Sequence, residues 1–159
     1  MPEVFIGAGS NADPERRLRF AVAELERRFG ALRCSHVYRS AAVGVPAADY
    51  LNLVAALVTE LAVDPLREVL LAIEAAAGRT RLSPAVCELD LDLLLHGERV
   101  DVERRVPRAR LFEQAFVLAP LAELKPELRH PVTGERCGAA ARRLARGSVV
   151  DCGPLRTRG

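Results

Sequence analysis

Three carboxylates stand two residues apart in Glu88-Leu89-Asp90-Leu91-Asp92. In an extended chain alternate side chains share a face, so Glu88, Asp90 and Asp92 fall on one side while Leu89, Leu91 and Leu93 fall on the other. Like charges so close repel unless a cation lies between them. Hard carboxylate oxygens at this spacing suit Mg²⁺ held jointly with a substrate's phosphates. The same alternation also describes the solvated face of any half-buried strand, and the spacing alone leaves both readings open. Arg79 and Arg81 precede the acidic stretch by a short loop, and a guanidinium matches phosphate oxygens bidentately. They are equally ordinary surface residues in a chain whose only lysine is Lys125 and whose other basic residues, out of 23, are arginines. Gly7-Ala8-Gly9-Ser10-Asn11 lacks the later glycine of a dinucleotide fingerprint and the Gly-Lys-Ser/Thr end of a phosphate loop, so it reads as the turn closing a strand.

Aromatic residues make up only 4% of the chain, with no Trp, so Tyr38, Tyr50 and Phe116 stand out. A flat heterocycle needs ring faces on both sides and a polar group to read its edge, and Asn52 beside Tyr50 supplies one. Each ring taken singly is also an ordinary core residue. His36 reads as structural. His96 and His130 fall in turns, with no partner at triad or metal-ligand spacing. Cys34, Cys87, Cys137 and Cys152 show no Cys-x-x-Cys pattern, which argues against zinc and against a disulfide framework. They are expected as the reduced thiols of a cytoplasmic protein.

The elements that must position these residues follow from periodicity. With 159 residues, half of them apolar, the chain has the material for one core, and a single domain over 1–159 is expected, with 148–159 as a flexible tail. A net charge of +2 argues against an acidic tail and against nucleic-acid binding. The N-terminus carries no signal-peptide pattern, and no run approaches the about 20 apolar residues of a membrane span. Glu3 to Gly7 reads as a strand. Asp13-Pro14 opens a helix that Gly30 stops, with Leu18, Ala21, Val22, Leu25 and Phe29 on one face. Leu32–Ser40 and Tyr50–Leu61 read as extended. Asp64-Pro65 opens a second helix with Leu66, Val69, Leu70, Ile73 and Ala77 on its inner face. After the acidic strand, His96-Gly97-Glu98 turns into an extended piece over Arg99–Val102, and short helices follow near Ala115–Leu124 and Gly138–Ala145. The order predicts an α+β, ferredoxin-like βαββαβ fold with an added hairpin, its helices on one face of a mainly antiparallel sheet.

Taken together, these stretches resemble the 6-hydroxymethyl-7,8-dihydropterin pyrophosphokinase family of folate biosynthesis. The resemblance rests on Phe5-Ile6-Gly7-Ala8-Gly9-Ser10-Asn11, Tyr38-Arg39-Ser40, Asp49-Tyr50-Leu51-Asn52, Ile73-Glu74 with Gly78-Arg79-Thr80-Arg81, Leu89-Asp90-Leu91-Asp92, and Phe116-Val117-Leu118-Ala119-Pro120-Leu121. It spans about Val4 to Pro131 and implies the ferredoxin-like fold and Mg-dependent transfer of pyrophosphate from ATP to a pterin, releasing AMP. It further implies two Mg²⁺ ions on Asp90 and Asp92, and a pterin stacked between Tyr50 and Phe116. Asn52 and the backbone near Ser40 and Val43 would read the pterin's edge. Glu74, Arg79, Arg81 and Arg108 would serve ATP, Arg79 on the polyphosphate, with mobile loops at Gly44–Ala48 and Leu82–Cys87. Two departures stand out. Ser83-Pro84-Ala85-Val86-Cys87-Glu88 replaces a Trp-Gly-Pro-Arg-like run, and Pro107-Arg108 with Gln114 replaces Pro-His with a following arginine. They motivate an alternative, a paralogue that binds a pterin-like ligand with little ATP chemistry or with another donor. A binding module for nucleic acid or protein is disfavoured by the charge balance. The partners expected are small molecules, with the chain a monomer or weak homodimer.

Overall fold

The computed structural model describes residues 1–44, 46–78, 85–144 and 148–156. Its centre is β1 (Glu3–Ser10), where Val4, Ile6 and Ala8 point to one side and Phe5, Gly7 and Gly9 to the other. This strand pairs antiparallel with β4 (Tyr50–Val58), from Glu3↔Val58 to Ser10↔Leu51, and with β5 (Asp90–His96), from Val4↔His96 to Gly9↔Asp90. The extended stretch expected over Leu32–Ser40 is split into β2 (Arg33–Cys34) and β3 (Tyr38–Ser40), both paired with β4. With α1 (Pro14–Phe29) and α2 (Val63–Ala76) as crossovers, the order β5-β1-β4-β3 is the ferredoxin-like arrangement, and all its pairings are antiparallel.

Both faces of the sheet are covered, where the sequence pattern places helices on one. Leu18, Ala21 and Leu25 of α1 and Leu66, Leu70 and Ile73 of α2 pack on Val4, Ile6, Leu53, Leu57, Leu91 and Leu93. On the opposite face α3 (Ala115–Leu124) and α4 (Cys137–Arg143) bury Phe5, Val54, Ala56, Leu94 and Leu95. The reason lies in β4, whose residues from Leu53 to Leu57 are apolar on both sides of the pleat and leave the second side in need of cover. A register shift in the β1–β5 pairing between Phe5 and Ile6 lets both Leu94 and Leu95 join that second cluster.

Other local expectations change. Asp13 sits in the left-handed region, φ 48°, without capping α1, and its carboxylate pairs instead with Arg16 at 3.1 Å. α2 starts at Val63, so Asp64 lies inside its first turn, where the positive end of the helix favours a carboxylate. The extended return over Arg99–Val102 shrinks to one bridge, Asp101↔Val106. There the Asp101 carboxylate accepts the Arg104 N–H at 3.1 Å and pairs with the Arg99 and Arg104 guanidiniums, local bonds that compete with a ladder. The four cysteines are free, and burial pushes the Cys137 thiol up to about 12. Among the described residues, no helix is long and apolar enough to cross a membrane.

The stretch read as a tail carries β6 (Val149–Asp151), an edge strand on β3 with β-branched Val149 and Val150. It is fastened by Cys152 N–H to the Val37 carbonyl at 2.8 Å and Val37 N–H to the Gly153 carbonyl at 2.9 Å. His36, read as structural within the extended stretch, lies half-buried beside it, with Nδ1 3.1 Å from Asp151 and its backbone N–H on the Glu123 carboxylate at 3.0 Å. The hydrogen bond to Asp151 raises the His36 pKa above its ordinary 6.5, and Glu123 adds to the effect. A group whose pKa rises on folding contributes fully below its unfolded value and loses the contribution as pH climbs through its folded value. The corrected exchange protection of the Cys152 amide is therefore expected to fall as pH rises above 6.5, with His36→Gln flattening the profile. A flat wild-type profile, measured by NMR, would refute this latch.

Candidate active site

The α3–α4 layer covers only part of its face. It lies over Phe5, Ala56 and Leu95 and leaves bare the part of the sheet bearing Gly7, Gly9, Tyr50, Asn52, Asp90 and Asp92. All six share one side of the pleat, since Gly9 opposes Asn52 on one neighbour and Asp90 on the other, and Gly7 opposes Asp92. The result is an open cleft of about 220 Å³, walled by Phe116 and Val117 of the first turn of α3 and by Ser40, Ala41 and Val43. In the sequence Gly7 and Gly9 read as part of a closing turn and carry no expected role, yet both lie within β1 and make the floor. A Cβ on Gly9 would stand 3.0 Å from Asn52 Oδ1 and 3.7 Å from the Tyr50 ring.

One end of the cleft is aromatic and amide-lined. Asn52 is buried and donates from Nδ2 to Ser40 Oγ at 2.8 Å and to the Tyr38 carbonyl at 3.3 Å, which fixes the orientation of its amide. Tyr50 on the sheet and Phe116 on α3 are both partly exposed and both line the cleft, which offers a flat ring two aromatic faces. Val43, 79% exposed, sits on the rim. Tyr38 turns away from the cleft. Its hydroxyl donates to Glu123 at 2.6 Å and joins β3 to α3, and burial raises the phenol's pKa above its usual value.

The other end is charged. Asp90 is exposed and Asp92 half-buried, both opening onto the cleft. Arg108 reaches in from the segment after the Asp101 turn, rooted by its backbone N–H on the Leu94 carbonyl at 2.9 Å. Its Nε donates to Asp92 Oδ2 at 2.6 Å and its Nη1 to Gln114 Oε1 at 2.5 Å. Two accessible carboxylates on one strand face, with open space for phosphate beside them, fit Mg²⁺, which is held by one or two carboxylates plus substrate oxygens. A second cluster, His36, Glu123 and Asp151, lies outside the cleft and is the latch on β6.

Eight sequence-predicted residues therefore meet in the cleft: Ser40, Val43, Tyr50, Asn52, Asp90, Asp92, Arg108 and Phe116. Glu74 does not. It is 4% exposed, and its carboxylate accepts the Leu91 N–H at 2.7 Å, bracing β5 between Asp90 and Asp92 from below. Arg79, Arg81 and the stretch 82–84 lie outside the described residues.

Asn11, given no role by the sequence pattern, ties the loops at the mouth together. Its Nδ2 donates to the Ala85 carbonyl at 2.8 Å and to the Ala48 carbonyl at 3.4 Å, and its Oδ1 accepts the Cys87 N–H at 2.6 Å. One short amide thus bridges two loops that flank the cleft. Asn11→Ala removes all three of these side-chain bonds and is expected to cost about 1–3 kcal/mol of stability. Urea denaturation checks it, and an unchanged midpoint would show the clamp to be idle.

Residues 5–126 match the family model for 7,8-dihydro-6-hydroxymethylpterin-pyrophosphokinase (HPPK). The 2-amino-4-hydroxy-6-hydroxymethyldihydropteridine pyrophosphokinase of Synechocystis sp. is 39% identical over 136 residues, covering 82% of this chain and 70% of the relative. That of Pseudomonas aeruginosa is 41% identical over 136 residues, covering 80% and 83%. In fold, the chain is similar to a crystal structure of Plasmodium falciparum HPPK-DHPS, with a TM-score of 0.70 and 11% identity. The match covers 89% of this chain but only 45% of that longer protein. A model match over most of the chain and relatives of this similarity lead to one conclusion: the chain belongs to the 7,8-dihydro-6-hydroxymethylpterin-pyrophosphokinase family.

Proposed function

We propose that this chain transfers the pyrophosphoryl group of ATP to the hydroxymethyl oxygen of 6-hydroxymethyl-7,8-dihydropterin, releasing AMP, as a cytoplasmic enzyme. The observation that carries this reading is a continuous cleft whose aromatic, amide-lined end runs directly into a carboxylate end. A flat heterocycle stacked between Tyr50 and Phe116, its edge read by Asn52, Ser40 and the backbone near Val43, lays its substituent toward Asp90 and Asp92. Two Mg²⁺ ions held by Asp90 and Asp92, when bound, neutralise the polyphosphate and orient it for in-line displacement. A triphosphate brings a charge of about −4 to a site that already holds two carboxylates, more than Arg108 together with Arg79 and Arg81 can offset. The same balance supports more than one divalent ion. Arg108 faces the phosphates, Arg79 and Arg81 serve them from the loop before β5, and Glu74 acts from beneath by holding the Leu91 N–H.

The substitutions at 83–88 and Gln114 motivate a pterin-binding paralogue with weak ATP chemistry. The retained carboxylate pair, the arginine held beside it and the relatives' shared name favour the kinase. AMP formation from MgATP is expected to require the pterin and to drop by at least about 10²–10³-fold in Asp90→Ala, Asp92→Ala protein. Pterin binding without any AMP above that control would overturn the kinase. Gly9→Ala is expected to weaken pterin binding about tenfold by displacing Asn52, with little change in nucleotide affinity. Equal pterin affinity by fluorescence titration would remove Asn52 from the recognition surface.

A further inference from the structure

We infer that Arg108 is a built-in stand-in for the metal, holding Asp92 until nucleotide and cation arrive together and then exchanging onto the phosphates. The inference rests on the reading of Asp90 and Asp92 as metal carboxylates. The Arg108 Nε stands 2.6 Å from Asp92 Oδ2, a charge-assisted bond in a partly exposed site. A divalent cation needs an oxygen of the same carboxylate at about 2.0–2.1 Å, and the guanidinium already holds Oδ2. A guanidinium left on Oδ2 would then lie close to a like charge, with only the one shared carboxylate to offset both. Phosphate oxygens change the balance. They bind the metal on one side and accept the guanidinium's donors on the other, so both cations are tolerated once nucleotide is present.

The arginine is built for this exchange. Its backbone is fixed on Leu94 and its Nη1 is oriented by Gln114 Oε1, while Nη2 makes no bond to the described residues. A neutral amide at 114 turns the guanidinium without repelling it. The Asp92 contact is thus the one that breaks, and the Gln114 contact is the pivot. Arg108 acts as a phosphate-binding residue whose further effect is thermodynamic coupling: metal binds poorly alone and well with nucleotide.

The test uses Mn²⁺ as probe on the full chain without nucleotide, with affinity read by electron paramagnetic resonance or calorimetry. Arg108→Met is expected to bind Mn²⁺ about five- to tenfold more tightly than wild type. The same variant is expected to bind α,β-methylene-ATP with Mg²⁺ about five- to tenfold more weakly. Arg108→Lys, which keeps the charge, is expected to stay near wild type in Mn²⁺ affinity. A merely structural arginine would weaken both affinities or neither. Mn²⁺ binding unchanged or weaker in Arg108→Met overturns the exchange. If Asp90→Ala, Asp92→Ala protein still binds Mn²⁺ like wild type, the metal site itself is wrong and the exchange falls with it. A lack of AMP formation alongside the expected Mn²⁺ shifts overturns the kinase reading alone.

Discussion

The cleft depends on strand register. Gly7 and Gly9 of β1, Tyr50 and Asn52 of β4, and Asp90 and Asp92 of β5 share one side of the pleat. Their neighbours Ile6, Ala8, Leu53, Leu91 and Leu93 fill the core beneath α1 and α2. A slip of one residue in β5 would bury the carboxylates and expose the leucines. Each buried leucine contributes about 1.5–3 kcal/mol, and an unpaired buried carboxylate costs considerably more. The site is therefore aligned by burial on the opposite face. What opens the cleft is the limited reach of the second helical layer, since α3 and α4 cover Phe5, Ala56 and Leu95 and stop. Glycines under the uncovered part keep the floor free of side chains.

Electrostatics at the charged end are milder than the sequence suggests. Carboxylates two residues apart on a strand lie about 7 Å from each other, a repulsion of roughly 0.6–2.4 kcal/mol for effective dielectrics of about 80 to 20. A partly exposed ion pair returns a similar amount, about 0.2–1 kcal/mol. The cation that the acidic stretch calls for is thus already in the protein, as the Arg108 guanidinium on Asp92. The retention of both aspartates is compatible with a stable fold before any metal binds. Their presence argues for chemistry through the open cleft they face, more than through any cost they impose on folding.

Period-two and period-3.6 patterns make the fold class legible, because the leucines of Glu88–Leu95 and the inner faces of α1 and α2 are one-sided. The second helical layer is harder to read. α3 is apolar almost all round, so its sequence does not say which side it buries. The signal that points to it is β4, apolar on both sides of the pleat. In the site, side chains with recognisable chemistry are readable one by one. Gly9 and Asn11 are not, because their roles depend on which residue lies across the strand or across a loop. Glu74 shows the converse: its place in the sequence points to ATP, and its side chain lies under the sheet holding a backbone N–H.

The arginine at 108 and the glutamine at 114 show why position and chemistry must be separated. Compared position by position, a glutamine where an arginine is expected reads as a lost cation. In space, the two side chains touch, and the cation is supplied from six residues earlier, rooted on Leu94 and aimed by the amide. A second arginine at 114 would repel the first and free it from its pivot, whereas an amide oxygen accepts its donor. The pair works as a unit: removing the amide leaves a charge without direction, and removing the arginine takes the resident cation away from Asp92. The departure from the family pattern is therefore better read as a relocation of one positive charge within the same cleft than as its loss.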